Sequence, residues 1–260
     1  MFFKAHGVIL SMFVICVLMC GTAYSQQFVT DGLIAFWSLD ESTINGEDVE
    51  DVFAGNNGVI NGAPKTVDGV INECMEFDGA GARVEVPKEL MVGLESFTIE
   101  CWFNYVDSAN WRWMFGGGPQ WNHGVGCCIY SGSNIVRYHL KTNKGEFTDG
   151  NGATKLEVGE WYHIAYTYNG EKVISYVNGE LDFERAFTGA LVIDVTTLAI
   201  GAGYFDNSEY FSGMVDEVRL YNRDLDQDEA NQNMNVKSNT ISVDTSGKLP
   251  ETWAKIKTSK

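Results

Sequence analysis

Glu180, Asp182 and Glu184 alternate with Leu181 and Phe183 in the run Glu-Leu-Asp-Phe-Glu. Side chains two apart on an extended strand point the same way, so this spacing predicts three carboxylates on one face. Such a face could cleave a glycosidic bond: one carboxylate attacks, a second acts as acid and base, and a third tunes the pair. The alternative is structural, a half-buried strand with a polar outer face opposite Leu181 and Phe183. A second group of residues could bind rather than react. Trp111, Trp113, Trp121 and His123 surround Gly116-Gly117-Gly118-Pro119. Pyranose faces stack on aromatic rings and nearby polar groups fix their orientation, although tryptophans also pack beneath long loops. The four histidines, His6 among them, have no zinc-ligand spacing, and no glycine-rich phosphate loop opens a helix. His163 lies mid-strand and reads as a structural histidine.

The strand that would carry the three carboxylates begins just after Asn178-Gly179. Residues 161–177 contain two alternating runs, and Asn-Gly pairs at 169–170 and 178–179 mark hairpin turns, because both residues tolerate positive φ. In the first run Tyr162, Ile164, Tyr166 and Tyr168 share one face, and Trp161, His163, Ala165 and Thr167 the other. A strand with large groups on both faces belongs inside a sandwich. Further strands are predicted at residues 32–39, 75–77, 83–86, 97–105, 125–130, 135–140, 197–200 and 213–221, with a polar loop over 42–62. One helix is predicted over 226–233. Asp226 caps it, Glu229 completes a capping box, and Leu225 packs on Ala230.

The chain has 260 residues, 45% hydrophobic and 13% aromatic, enough for one all-β domain with a sizeable core. Residues 1–25 read as a signal peptide: Lys4, an apolar run over 8–19, then Ala23-Tyr24-Ser25 before a cleavage at Gln26. The expected location is therefore secreted, extracellular or periplasmic. Met19 is bulkier than the residue that normally precedes a lipidated cysteine, which argues against an anchor at Cys20. No other segment is long and apolar enough to cross a membrane. The net charge of −17 argues against nucleic acid and favours solubility and divalent cations.

Removing the signal peptide leaves Cys74, Cys101, Cys127 and Cys128. Strand parity turns Cys101 to the core and Cys74 away from Phe77. Cys127 and Cys128 point oppositely, so either is a candidate disulfide partner for Cys101; small buried thiols are the alternative. The domain should span residues 26–236, and 237–260 reads as a C-terminal extension.

Several short runs recur in a telling order: Ala35-Phe36-Trp37-Ser38-Leu39-Asp40, Met75-Glu76-Phe77-Asp78-Gly79, Phe97-Thr98-Ile99-Glu100-Cys101-Trp102, Trp161-Tyr162-His163-Ile164-Ala165, and Gly213-Met214-Val215-Asp216-Glu217-Val218-Arg219-Leu220-Tyr221. This series resembles the LamG-like jelly-roll domains of the concanavalin A-like lectin and glucanase superfamily. The resemblance implies an all-β fold of two antiparallel sheets packed as a jelly-roll sandwich, with one short C-terminal helix. It implies a binding or adhesion module for a glycan or an extracellular protein, and a structural calcium. The matching calcium positions are Asp51, Asn56 or Asn57, Asp78 and Asp216, or these carboxylates bind backbone amides instead. The 180–184 run also looks like the catalytic strand of laminarinases and lichenases. On that carry-over Glu180 is the nucleophile, Asp182 the helper and Glu184 the acid/base. A third role is structural, in a surface assembly.

Overall fold

The computed structural model describes residues 27–117, 124–192, 198–203 and 209–239. The first half contributes β1 (Leu33–Trp37), β2 (Ile44–Asn45), β3 (Asp48–Val49), β4 (Gly58–Asn61), β5 (Lys65–Asp68), β6 (Glu73–Asp78), β7 (Arg83–Val86), β8 (Phe97–Tyr105) and β9 (Arg112–Gly117). The second half contributes β10 (Val125–Ile129), β11 (Val136–Thr142), β12 (Gly145–Asn151), β13 (Trp161–Tyr168), β14 (Lys172–Val177), β15 (Glu180–Ala186), β16 (Leu198–Ile200), β17 (Ser212–Tyr221) and the helix α1 (Gln227–Met234).

These strands form two antiparallel sheets. The first runs β15-β14-β13-β8-β17-β6-β5 with β1 also on β17, and the second β12-β11-β10-β9-β16-β7-β4-β3-β2. Strands distant in sequence lie side by side: β8 sits between β13 and β17, and β16 between β7 and β9. Phe97, Ile99, Cys101, Phe103 and Tyr105 of β8 meet Tyr138 and Leu140 of β11 and Phe115 of β9 in one core between the sheets. The strict alternation of β8 produces this, since every second residue faces the opposing sheet.

The meander forms as expected, with one difference in its turns. Asn178 and Gly179 both take positive φ, 51° and 76°, as a type I′ turn requires. Gly179 has a second reason to be glycine: a Cβ there would come 2.0 Å from Asn231 Oδ1 of α1. In the earlier turn the two central residues are Gly170 and Glu171, because Asn169 N–H donates to the Lys172 carbonyl. Asn169 spends its side chain accepting from Glu171 and Lys172 N–H, and only Gly170 takes positive φ.

Helix α1 carries its capping box, with Asp226 accepting from Glu229 N–H and the Glu229 side chain accepting from Asp226 N–H. The expected contact of Leu225 with Ala230 is replaced. Leu225 joins Phe28, Phe36 and Tyr221, while Ala230 packs on Ala165 and Tyr176. The helix thereby covers the outer face of the first sheet. Beneath it the fully buried Arg219 guanidinium lies between the Phe28 and Phe36 rings, 4.6 and 4.4 Å from their centres, and pairs with Glu100 and Glu217. Asn233 of α1 and Tyr221 also donate to Glu100, so the buried carboxylate is held by three side chains.

Candidate functional site

The Glu-x-Asp-x-Glu run falls on β15, but its carboxylates do not share a face. The pairing with β14 slips by one residue, so that Ser175 lies opposite Phe183 and Tyr176 opposite Leu181, with Asp182 as the bulged residue. A bulge turns two successive side chains to one side, and here Asp182 and Phe183 both point inward. Asp182 accepts 2.7 Å hydrogen bonds from the Tyr138 hydroxyl and from Thr154 N–H. Phe183 stacks on Tyr138 at 5.3 Å. Glu184 lies on the opposite, exposed face, where it pairs with Lys172 at 2.7 Å, and Glu180 is exposed at the start of the strand. The expected constellation of Glu180, Asp182 and Glu184 is thus split across the strand, and its middle member is part of the core.

The tryptophan group is different. Trp113 lies on the outer face of the second sheet because β9 also bulges: Cys127 pairs with Phe115 and Cys128 with Trp113, which sends Met114 and Phe115 inward together. The indole rests on a floor without side chains. A Cβ at Gly203 would come 2.2 Å from Trp113 Cδ2, and one at Gly116 2.8 Å from Cε3. Trp113 Nε1 donates to Glu209 at 3.0 Å, and the His139 ring packs against its face at 4.8 Å. Trp113 is buried, whereas Trp111 is half-buried at the edge of the same patch.

Around Trp111 the hairpin of β10 and β11 adds residues that the tryptophan spacing does not announce. The Tyr130 ring lies 5.0 Å from Trp111, and Arg137 places its guanidinium 4.3 Å from the Tyr130 centre and 5.1 Å from the Trp111 centre. Contacts of this kind favour the charged guanidinium over an aromatic face. Arg137 Nε donates to the Thr148 carbonyl, which fixes its direction. His139 is held neutral, its pKa pushed down to about 3 by burial and then by the charge of Arg137. The patch thus offers two rings and one fixed cation, above a buried neutral imidazole. Trp121 and His123, named with these tryptophans from the sequence, lie outside the described residues.

The proposed calcium positions are only partly free to take an ion. Asp51 Oδ1 accepts from Phe36, Phe53 and Ala54 N–H, and Oδ2 from the backbone and side-chain nitrogens of Asn56. Asp78 Oδ1 accepts from Ala80 and Ala82 N–H at an exposed turn. Asp216 Oδ2 accepts from Val70 and Ile71 N–H, but its buried Oδ1 has no partner. Burial and then the neighbouring Glu217 charge push the Asp216 pKa up to about 8. Among the described residues no cluster of three or more His, Cys, Asp or Glu side chains has the geometry to hold a metal. Two open polar pockets of about 260 and 400 Å³ follow the loop after β1, the first lined by Asp40, Asn72 and Asn239, the second by Asp48, Glu50, Asp51 and Asn57.

The candidate bridge among Cys101, Cys127 and Cys128 is not formed; all four cysteines of the domain carry free, buried thiols. Parity was nevertheless followed. Cys101 and Cys127 both lie in the inter-sheet core, while Cys128 joins Trp113 on the outer face. Burial raises the Cys127 thiol to about 12, so it remains protonated and unreactive at neutral pH.

A family model described as the concanavalin A-like lectin/glucanases superfamily, of laminin G type, matches residues 78–231. The chain belongs to this superfamily. Its two-sheet sandwich is shared by solved structures of low sequence identity. Domain 4 of AbnA, an extracellular arabinanase from Geobacillus stearothermophilus solved with arabinotriose, is 20% identical with a TM-score of 0.63, over 78% of this chain and 98% of that one. A sialidase from Trypanosoma rangeli is 20% identical with a TM-score of 0.61 over 79% of this chain, which spans 33% of the sialidase's length. The binding domain of Paraclostridial Mosquitocidal Protein 1 is 13% identical with a TM-score of 0.63, over 78% of this chain and 52% of that one. No curated protein sequence matches. At these identities the structural likenesses establish the shared fold.

Proposed function

We propose that this superfamily member is a non-catalytic glycan-recognition module, acting outside the cytoplasm, that binds through the outer face of its second sheet. The observation that carries the reading is the patch of Trp111, Tyr130, Arg137 and His139 beside Trp113. Rings fixed at the ends of β9 and β10 and packed on each other are preorganised, so little ordering entropy opposes a sugar stacking on them. That a structurally similar domain was solved with arabinotriose supports a sugar rather than a protein ligand. The signal-peptide reading of residues 1–25 supports the location. Hydrolysis has no place in this reading, because the β15 bulge separates Glu184 from Asp182.

Calcium stays within the proposal through Asp216, whose Oδ1 is the one buried carboxylate oxygen without a partner among the named positions. The test of the reading is a glycan array probed with the full chain, with calcium and with chelator. Binding to defined glycans that is lost in Trp111→Ala supports it. A blank array in both conditions would overturn it in favour of a protein partner.

A further inference from the structure

Six arginines occur in the chain and all lie among the described residues. Five are ion-paired: Arg83 with Glu85, Arg112 with Asp107, Arg185 with Asp149, Arg219 with Glu100 and Glu217, and Arg223 with Glu229. Arg137 alone has no carboxylate partner among the described residues. Its contacts are the Thr148 carbonyl and the rings of Tyr130 and Trp111. In a chain with 35 acidic and 18 basic residues, carboxylates are abundant, and every other arginine has found one. Asp149 feels the charge of Arg137 but forms its ion pair with Arg185, at 2.6 Å. Arg137 is half-buried, so its charge has lost part of its hydration without gaining an ion pair.

We propose that the Trp111–Tyr130 patch takes an acidic glycan, whose carboxylate or sulfate docks on the terminal nitrogens of Arg137 while a pyranose ring covers the aromatic edge. This rests on the glycan reading above and adds the charge of the sugar. The planar guanidinium fork matches a carboxylate or sulfate through two parallel hydrogen bonds, which an ammonium cannot reproduce. Arg137 Nε is already committed to Thr148, so the remaining edge of the fork is aimed before the ligand arrives. The acidic excess of the chain, whose net charge is −17, repels a polyanion elsewhere and favours this face.

The experiment is calorimetric titration of the full chain with polygalacturonate against its fully methyl-esterified form, and with dextran sulfate against dextran. Each pair keeps the backbone and removes the charge, and the two pairs separate carboxylate from sulfate. The expected result is at least tenfold tighter binding to the charged member of one pair, weakening as salt rises. Arg137→Gln should remove the preference, and Arg137→Lys should retain only part of it while preserving the charge if the glutamine variant folds poorly. Equal binding to charged and neutral members, or a preference that survives Arg137→Gln, overturns the inference and leaves the glycan reading standing. No binding to any of the four polymers, together with a blank glycan array, overturns both.

Discussion

The Tyr138 hydroxyl donates a 2.7 Å hydrogen bond to Asp182 Oδ2, joining the two sheets where β15 bulges. Ser175 in turn donates to the Tyr138 oxygen at 2.7 Å, so the three side chains form a continuous chain inside the sandwich. A carboxylate so engaged supports the fold rather than catalysis. Asp182→Ala strands the Tyr138 hydroxyl and Thr154 N–H, and should lower stability by about 2–4 kcal/mol. Glu184→Gln, on the exposed side, should leave the melting temperature unchanged. Urea unfolding of both variants checks this, and a stable Asp182→Ala chain would show that the network carries little.

Gly203→Ala probes the floor beneath Trp113. The new Cβ would come 2.2 Å from the indole, so the ring must lift or the sheet must shift. Overpacking of this kind costs about 1–3 kcal/mol. A melting temperature lower by roughly 3–10 °C and a red-shifted tryptophan emission are expected. An unchanged melt would mean that Trp113 does not rest against this glycine.

Acid should weaken the fold partly through His139. Its folded pKa of about 3 lies below its ordinary value of 6.5, so the unfolded chain binds the extra proton between those limits. The stabilisation is fully present above pH 6.5 and is lost as pH falls towards 3. Other buried groups titrate in the same range, so the informative quantity is a difference: His139→Gln should lose less stability than the parent between pH 6.5 and 4. Parallel denaturant curves across that range check it, and identical pH profiles would place no weight on His139.

Calcium can be tested through two aspartates with different donor sets. Millimolar calcium should raise the melting temperature of the full chain, and Asp216→Asn should abolish the increment. Asp51→Ala, which abandons five hydrogen-bond donations, should melt lower by the equivalent of about 3 kcal/mol with calcium or with chelator alike. A parent melt indifferent to calcium would remove the ion.

The sandwich was readable because its signals are local. Alternation in residues 97–105, the Asn178-Gly179 turn and the Asp226 to Glu229 capping box each act within a few residues, and each appears as expected. The site was less readable because bulges break the parity on which strand readings rest. One extra residue at Asp182 splits the carboxylates, and one at Met114 sends Trp113 outward while its successors turn in. Arg137, His139 and Tyr130 leave no mark in the tryptophan spacing because they reach Trp111 only through pairing of β9, β10 and β11. Parity within the predicted hairpin could have found them, since Arg137 and His139 oppose the core-facing Val136 and Tyr138.

The central claim is that recognition occurs on the outer face of the second sheet and not on β15. Its most direct test is a glycan-binding titration of Trp111→Ala beside Glu184→Gln. The expected result is a loss of about 10- to 100-fold for Trp111→Ala, equivalent to about 1–3 kcal/mol, with Glu184→Gln unchanged. Full binding by Trp111→Ala together with loss in Glu184→Gln would contradict the claim and return function to β15.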